Sequence, residues 1–129
     1  MFSPNLDTTN LDNIRKAIRP NTKGIFIETP SNPLLDVTDI RGTVAIAKQH
    51  GLLTIVDNTF LSPYLQRPLE LGADVVLHSA TKYLSGHNDI IAGAVVVNDD
   101  ALAEKISFAQ VAIGALISPF DSWLLIRSI

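Results

Sequence analysis

Cysteine is absent from this 129-residue chain, and long apolar runs, basic clusters and glycine-rich phosphate signatures are missing too. Without cysteine there is no disulfide framework and no thiolate metal site, which fits a reducing compartment. No apolar run reaches the ~18 residues of a membrane-spanning helix. The opening residues, MFSPNLDTTN, lack the basic stretch and apolar core of a secretory signal. The formal net charge is −3, and there is no basic run or interleaving of aromatic with basic residues, so nucleic acid is excluded as an expected partner. Neither G-x-x-x-x-G-K-[ST] nor G-x-G-x-x-G occurs, and P-loop and dinucleotide readings therefore lack their phosphate cradle. His50, His78 and His87 are too scattered to hold a metal, and His87 with Asp89 reads as a structural turn. The expectation is a soluble cytoplasmic protein without a metal, a membrane partner or a nucleic-acid partner.

With 47% apolar and 18% charged residues, the composition is that of one globular domain. Four β-branched runs stand out: GIFIET (24–29), LLTIVDNT (52–59), DVVLHS (74–79) and AGAVVVN (92–98). The first three are almost continuously apolar, the pattern of strands buried on both faces. Helical patterns lie between them. TTNLDNIRKAIRP sets Leu11, Ile14 and Ile18 on one stripe and stops at Pro20. DVTDIRGTVAIAKQHG aligns Ile40, Val44 and Ala47, with Asp36 or Thr38 as N-cap and Gly51 past its end. A short helical turn follows Pro63, and Leu102, Ile106 and Ala109 form a stripe behind an aspartate cap. Strands alternating with helices predict an α/β fold with a mostly parallel sheet. Only about a dozen residues separate Ser79 from the fourth run, too few for a helical crossover, so that strand is expected to run antiparallel.

Right-handed crossovers place the carboxyl ends of the three parallel strands on one edge, where ligands of open α/β sheets sit. The first strand delivers Glu28, Ser31 and Asn32 there, the second Asp57, the third Ser79, Thr81 and Lys82. Singly, each has an ordinary structural explanation: a solvated lysine, hydroxyls capping a turn, an asparagine before a proline. Asp57 resists that treatment, because an ionised carboxylate ending an apolar strand costs several kcal/mol unless something cationic or protonated pairs with it. A phospho-accepting receiver module would need an acidic pair after the first strand, and only Glu28 is present. Pyridoxal phosphate accounts for every group, with an amine for the aldehyde, hydroxyls for the phosphate and a carboxylate for the protonated ring nitrogen.

SATKYLSGHNDIIAGAVV, with IVDNTFLSPYLQRPLELGADVVLH and FIETPSNPLLDVTDI, resembles the Cys/Met-metabolism (transsulfuration) family of fold-type I pyridoxal-phosphate enzymes. Its members include cystathionine γ-synthase, cystathionine β- and γ-lyases, methionine γ-lyase and homoserine sulfhydrylases. The resemblance extends over essentially the whole chain. It implies that Lys82 is the Schiff-base lysine and catalytic base, that Ser79 and Thr81 contact the cofactor phosphate, that Asp57 pairs with the pyridine nitrogen, and that Asn32 reaches the ring hydroxyl. It further implies a sheet with helices on both faces, a small sulfur amino-acid substrate, β/γ-elimination or γ-replacement chemistry, and a homo-oligomer built as a dimer of dimers.

Several of that family's parts have no counterpart here. These are the amino-terminal Tyr-x-Arg that reaches a neighbouring subunit's phosphate, the glycine-rich phosphate turn, the aromatic residue stacked on the ring, and the carboxy-terminal domain with its substrate-binding arginine. RSI stands where the family usually has Arg-Gly. Residues 1–129 are thus expected to be the central part of the large cofactor-binding domain, inactive in isolation. The competing expectation is a non-catalytic remnant that acts as a folding or interaction module.

Overall fold

The computed structural model describes residues 6–129; the reading of the opening residues lies outside it over positions 1–5. In chain order the elements are α1 (Leu11–Ala17), β1 (Gly24–Glu28), α2 (Ile40–Gln49), β2 (Leu53–Asp57), α3 (Ser62–Leu65), a 3-10 turn (Pro68–Leu71), β3 (Val75–Ser79), β4 (Gly93–Val97), α4 (Asp100–Ile113) and α5 (Pro119–Ser128). The strands form one sheet ordered β1-β2-β3-β4. β1–β2 and β2–β3 are parallel, and β3–β4 is antiparallel. The chain is therefore a partial α/β domain of the expected kind. Residues 80–92 contain turns but no helix, which leaves reversal as the geometry open to β4.

Register assigns the side chains to faces. Ile25 lies beside Thr54, and Ile27 beside Val56, which lies beside Val76. α2 packs on this face, burying Ile40, Thr43, Val44 and Ala47 at helical spacing. Ile40 and Val44 join Ile27, Val56 and Ala73 in a core extended by Ile25 and Leu71. Each such aliphatic side chain contributes ~1.5–3 kcal/mol when fully buried. α1 lies against α2 through buried Ile14 and through Leu11, which approaches Gly42 so closely that a Cβ there would meet Leu11 Cδ1 at 2.4 Å.

Three details depart from the expectations. The N-cap of α2 is Asp39, whose carboxylate accepts from Gly42 N–H at 3.0 Å. The two expected caps hold the loop instead: Asp36 N–H donates to Ser31 Oγ at 3.0 Å, and Thr38 N–H donates to Thr29 Oγ1 at 2.9 Å. The helix begins at Ile40, so neither stands at its threshold. α1 ends at Ala17, leaving Ile18 as an extended C-cap rather than part of the helical stripe. Burial of β1 and β2 is also less two-sided than continuous apolar runs suggest. On the face away from α2, Phe26 is 52% exposed and Val95 on β4 50% exposed, although Val75 on the same face is buried.

Candidate active site

β1 and β2 end level with one another, and β3 runs two residues further, to Ser79. Glu28 is in register with Asp57, and Asp57 with Leu77. Side chains alternate along a strand, so Ser79, two residues past Leu77, shares their face. These carboxylates and this serine line a cleft of about 500 Å³, together with Asn32 from the β1 loop and Lys82 from the β3 loop. That size lies within the ~300–1,000 Å³ of small-molecule sites. Thr59, Phe60 and Tyr83 complete much of the remaining wall.

Asp57 is held by the residues that follow it. Its Oδ1 accepts from Thr59 N–H at 2.9 Å and from Thr59 Oγ1–H at 2.6 Å, the turn that Asp-x-Thr sequences favour. Thr59 Oγ1 in turn accepts from Ser79 N–H at 2.8 Å. Among the described residues, Asp57 Oδ2 has no partner, which leaves one carboxylate oxygen for a ligand.

Behind this edge, Asn58 is fully buried. Its Nδ2 donates to Ser62 O at 3.1 Å and Gln66 O at 2.8 Å. Gln66 Nε2 donates to Asn58 Oδ1 at 2.8 Å and to Thr29 O at 3.0 Å. The amide pair therefore ties the ends of β1 and β2 to α3, and both polar atoms of the buried Asn58 amide are satisfied, as burial requires.

Lys82 stands on a tight turn. Its N–H donates to Ser79 O at 3.1 Å, Ser85 N–H to Ala80 O at 3.0 Å, and Gly86 N–H to Lys82 O at 2.9 Å. Gly86 closes the turn at φ +72°, a conformation that glycine adopts without a Cβ clash. Buried Ser85 braces it by donating from Oγ to Thr81 O at 3.1 Å. Among the described residues, the Lys82 ammonium makes no ion pair.

The structure thus brings Asn32, Asp57, Ser79 and Lys82 together. It does not bring Thr81 with them. The Thr81 hydroxyl donates to Ala92 O at 3.2 Å and accepts from Ala92 N–H at 2.9 Å, clamping the start of β4. Thr59, Phe60 and Tyr83 were not among the residues expected from sequence. The Asp-Asn-Thr turn could have revealed Thr59, whereas the two aromatic residues carry no local signal.

His78 points to the α2 face, one residue out of phase with Asp57 and Ser79. It is buried, and its Nδ1 has no partner. Burial holds its pKa below the ordinary imidazole value, with the Asp57 charge acting in the opposite sense. His87 and Asp89 lie against α5 instead: Arg127 pairs with Asp89 at 3.4 Å, and Ser128 Oγ meets His87 Nδ1 at 3.2 Å. Among the described residues, no three His, Cys, Asp or Glu side chains converge to hold a metal, and no helix is long and apolar enough to cross a membrane.

Residues 3–129 match the family described as Cys/Met metabolism PLP-dependent enzyme. The chain is 60% identical over 121 residues to the cystathionine γ-synthase/O-acetylhomoserine (thiol)-lyase of Bacillus subtilis, covering 94% of this chain and 32% of that protein. It is 57% identical over 124 residues to a cystathionine β-lyase of Lactococcus lactis, covering 96% of this chain and 33% of that protein. Among solved structures, it superposes with a TM-score of 0.94 on cystathionine γ-lyase from Lactobacillus plantarum in complex with L-serine, at 54% identity, covering 95% of this chain and 32% of that one. The chain spans about a third of the length of these relatives. It belongs to the Cys/Met-metabolism family of pyridoxal-phosphate-dependent enzymes.

Proposed function

We propose that these residues are the central part of the large cofactor-binding domain of a cytoplasmic, homo-oligomeric enzyme of sulfur amino-acid metabolism. Its reaction would be γ-replacement or β/γ-elimination on cystathionine, homoserine esters or related amino acids. Relatives bearing synthase, β-lyase and γ-lyase names are almost equally similar to this chain, so the proposal stays at that class.

The observation that carries this reading is the convergence of a lysine amine, a half-bound carboxylate, an asparagine and a serine on one small cleft. Pyridoxal phosphate fits that donor set. Asp57 Oδ2 is free for a protonated ring nitrogen, Asn32 for the ring hydroxyl and Ser79 for the phosphate, while Lys82 offers the amine that joins the aldehyde. Thr81 could join Ser79 only by releasing Ala92. When bound, the cofactor supplies an aldehyde for amines and a cationic ring that takes up charge from the substrate carbon.

Each residue's role follows from its own chemistry. Asp57 would accept from a ring N–H and hold that proton in place, a charge-assisted hydrogen bond worth ~1.5–3 kcal/mol. Asn32, on a loop closed by its own N–H donating to Glu28 Oε2 at 3.2 Å, orients the ring edge. With the cofactor bound, Lys82 would supply the amine within the cleft that could take the proton from the substrate Cα and return it to carbon or to the leaving group.

The test is to add pyridoxal phosphate to the complete protein that carries this chain, reduce with borohydride and map the labelled peptide. The pyridoxyl group is expected on Lys82, with Lys82→Ala abolishing both the label and turnover. Label on Lys48 or Lys105 would overturn the assignment. No label at all would favour a remnant that keeps the motif without the cofactor.

A further inference from the structure

We infer that Thr59 is a positioning residue whose hydroxyl couples the Asp57 carboxylate to the Ser79 backbone, so that the ring-nitrogen and phosphate ends of the cofactor site are set as one unit. This inference rests on the cofactor reading proposed above.

A hydroxyl has one proton to donate and two lone pairs that accept. Ser79 N–H occupies a lone pair of Thr59 Oγ1 at 2.8 Å, and Asp57 Oδ1 lies 2.6 Å away with no proton to give. The hydroxyl proton therefore goes to Asp57. The terminal torsion of an aspartate is intrinsically broad and two-fold. Two donors on the same oxygen, the Thr59 N–H and the Thr59 hydroxyl, remove that freedom and leave Oδ2 as the available acceptor. The same bridge spans β2 and β3 just past their paired ends, where Asp57–Leu77 is the last registered pair. A shift of Ser79 relative to β2 is thereby transmitted to Asp57. Asn58 cannot substitute, since its amide is engaged behind the sheet by Ser62 and Gln66. A role confined to packing would require only the shape of the side chain; coupling requires the oxygen.

The complete protein is compared as wild type, Thr59→Val, Thr59→Ser, Asp57→Asn and the Asp57→Asn/Thr59→Val double variant. Pyridoxal-phosphate dissociation constants come from equilibrium dialysis, and unfolding of the cofactor-free forms is measured in parallel. Thr59→Val should weaken binding roughly tenfold to a hundredfold, the equivalent of losing one hydrogen bond to a charged group. Thr59→Ser should restore it. In the Asp57→Asn background the Thr59→Val step should shrink to about twofold, the ordinary error of additivity. Independent, additive losses or wild-type affinity in Thr59→Val would overturn the coupling role while leaving the cofactor reading intact. A wild-type protein that takes up no pyridoxal phosphate would overturn the cofactor reading and this inference with it. Should Thr59→Val fail to fold, Thr59→Ala reads the same cycle without a misplaced methyl group.

Discussion

The carboxyl edge of the sheet and the two carboxy-terminal helices are built on opposite terms. At the edge, Thr29, Asn58 and Ser85 are buried and hydrogen-bonded, Thr29 and Asn58 to neighbouring segments and Ser85 within its own turn. α4 and α5 have no buried residue. Their aromatic and aliphatic side chains stand open, Phe108 at 77% and Ile126 at 74% exposure, and Phe120 finds Trp123 of its own helix at 5.9 Å. Both helices are well signalled locally: Asp99 and Ser118 cap their starts, and Gly114 ends α4 in the left-handed conformation. Good caps define where a helix begins, but most helical stability in proteins comes from packing an apolar face. The side-chain hydrogen bonds of Asp57, Asn58 and Ser85, and the one from Ser79 N–H to Thr59, by contrast, all lie within residues 57–85. The polar groups of the cleft are thus held by contacts within the described chain, whereas the apolar side chains of α4 and α5 are left exposed.

Three kinds of measurement put this contrast at risk. The largest effect is expected for Asp57→Ala in the complete protein: removing the preorganised charge should cut turnover by about 10²–10³-fold with unchanged far-ultraviolet circular dichroism. Near-normal turnover would reduce the Asp57 turn to a capping device. The next effect is on stability. Ile27→Ala removes a side chain that is 2% exposed in the core under the site, and should cost ~2–5 kcal/mol in urea unfolding. Phe108→Ser, on exposed α4, should stay within about 0.5 kcal/mol of wild type. Equal losses would show that α4 is as well packed as the sheet.

The smallest effect is a pH slope from His78. Burial lowers its folded-state pKa below the unfolded value of 6.5. The unfolded chain then binds the extra proton first. The contribution is complete above the unfolded value and is lost as pH falls through 6.5 towards the folded-state value. His78→Gln should flatten this part of the urea-midpoint profile between about pH 5 and 7.5, and an unchanged slope would place the acid sensitivity elsewhere.

Much of the site was legible because strand ends and crossover lengths are sequence properties. Three apolar runs joined by helical patterns bring their carboxyl ends together whatever their details, so Asn32, Asp57, Ser79 and Lys82 could be placed on one edge from their positions in the chain. The missing helix between Ser79 and β4 foretold the antiparallel strand. Thr81 escaped the same logic: adjacent to Lys82 in sequence, it turns its hydroxyl to Ala92, because rotation along a tight turn separates neighbours that a linear motif groups. Asn58 and Gln66 were invisible for a related reason, since an amide in a loop gains its role only when β1 and α3 close around it.

Order along the chain and apolar patterning therefore settled the α/β class, the strand directions and the identity of the polar groups at the edge. Which oxygen of Asp57 is bound, which hydroxyls face the cleft and which sheet face is sealed emerged only on folding. Those choices depend on hydrogen bonds and contacts between segments distant in sequence, as between Thr59 and Ser79, and such pairings leave no period or spacing to read.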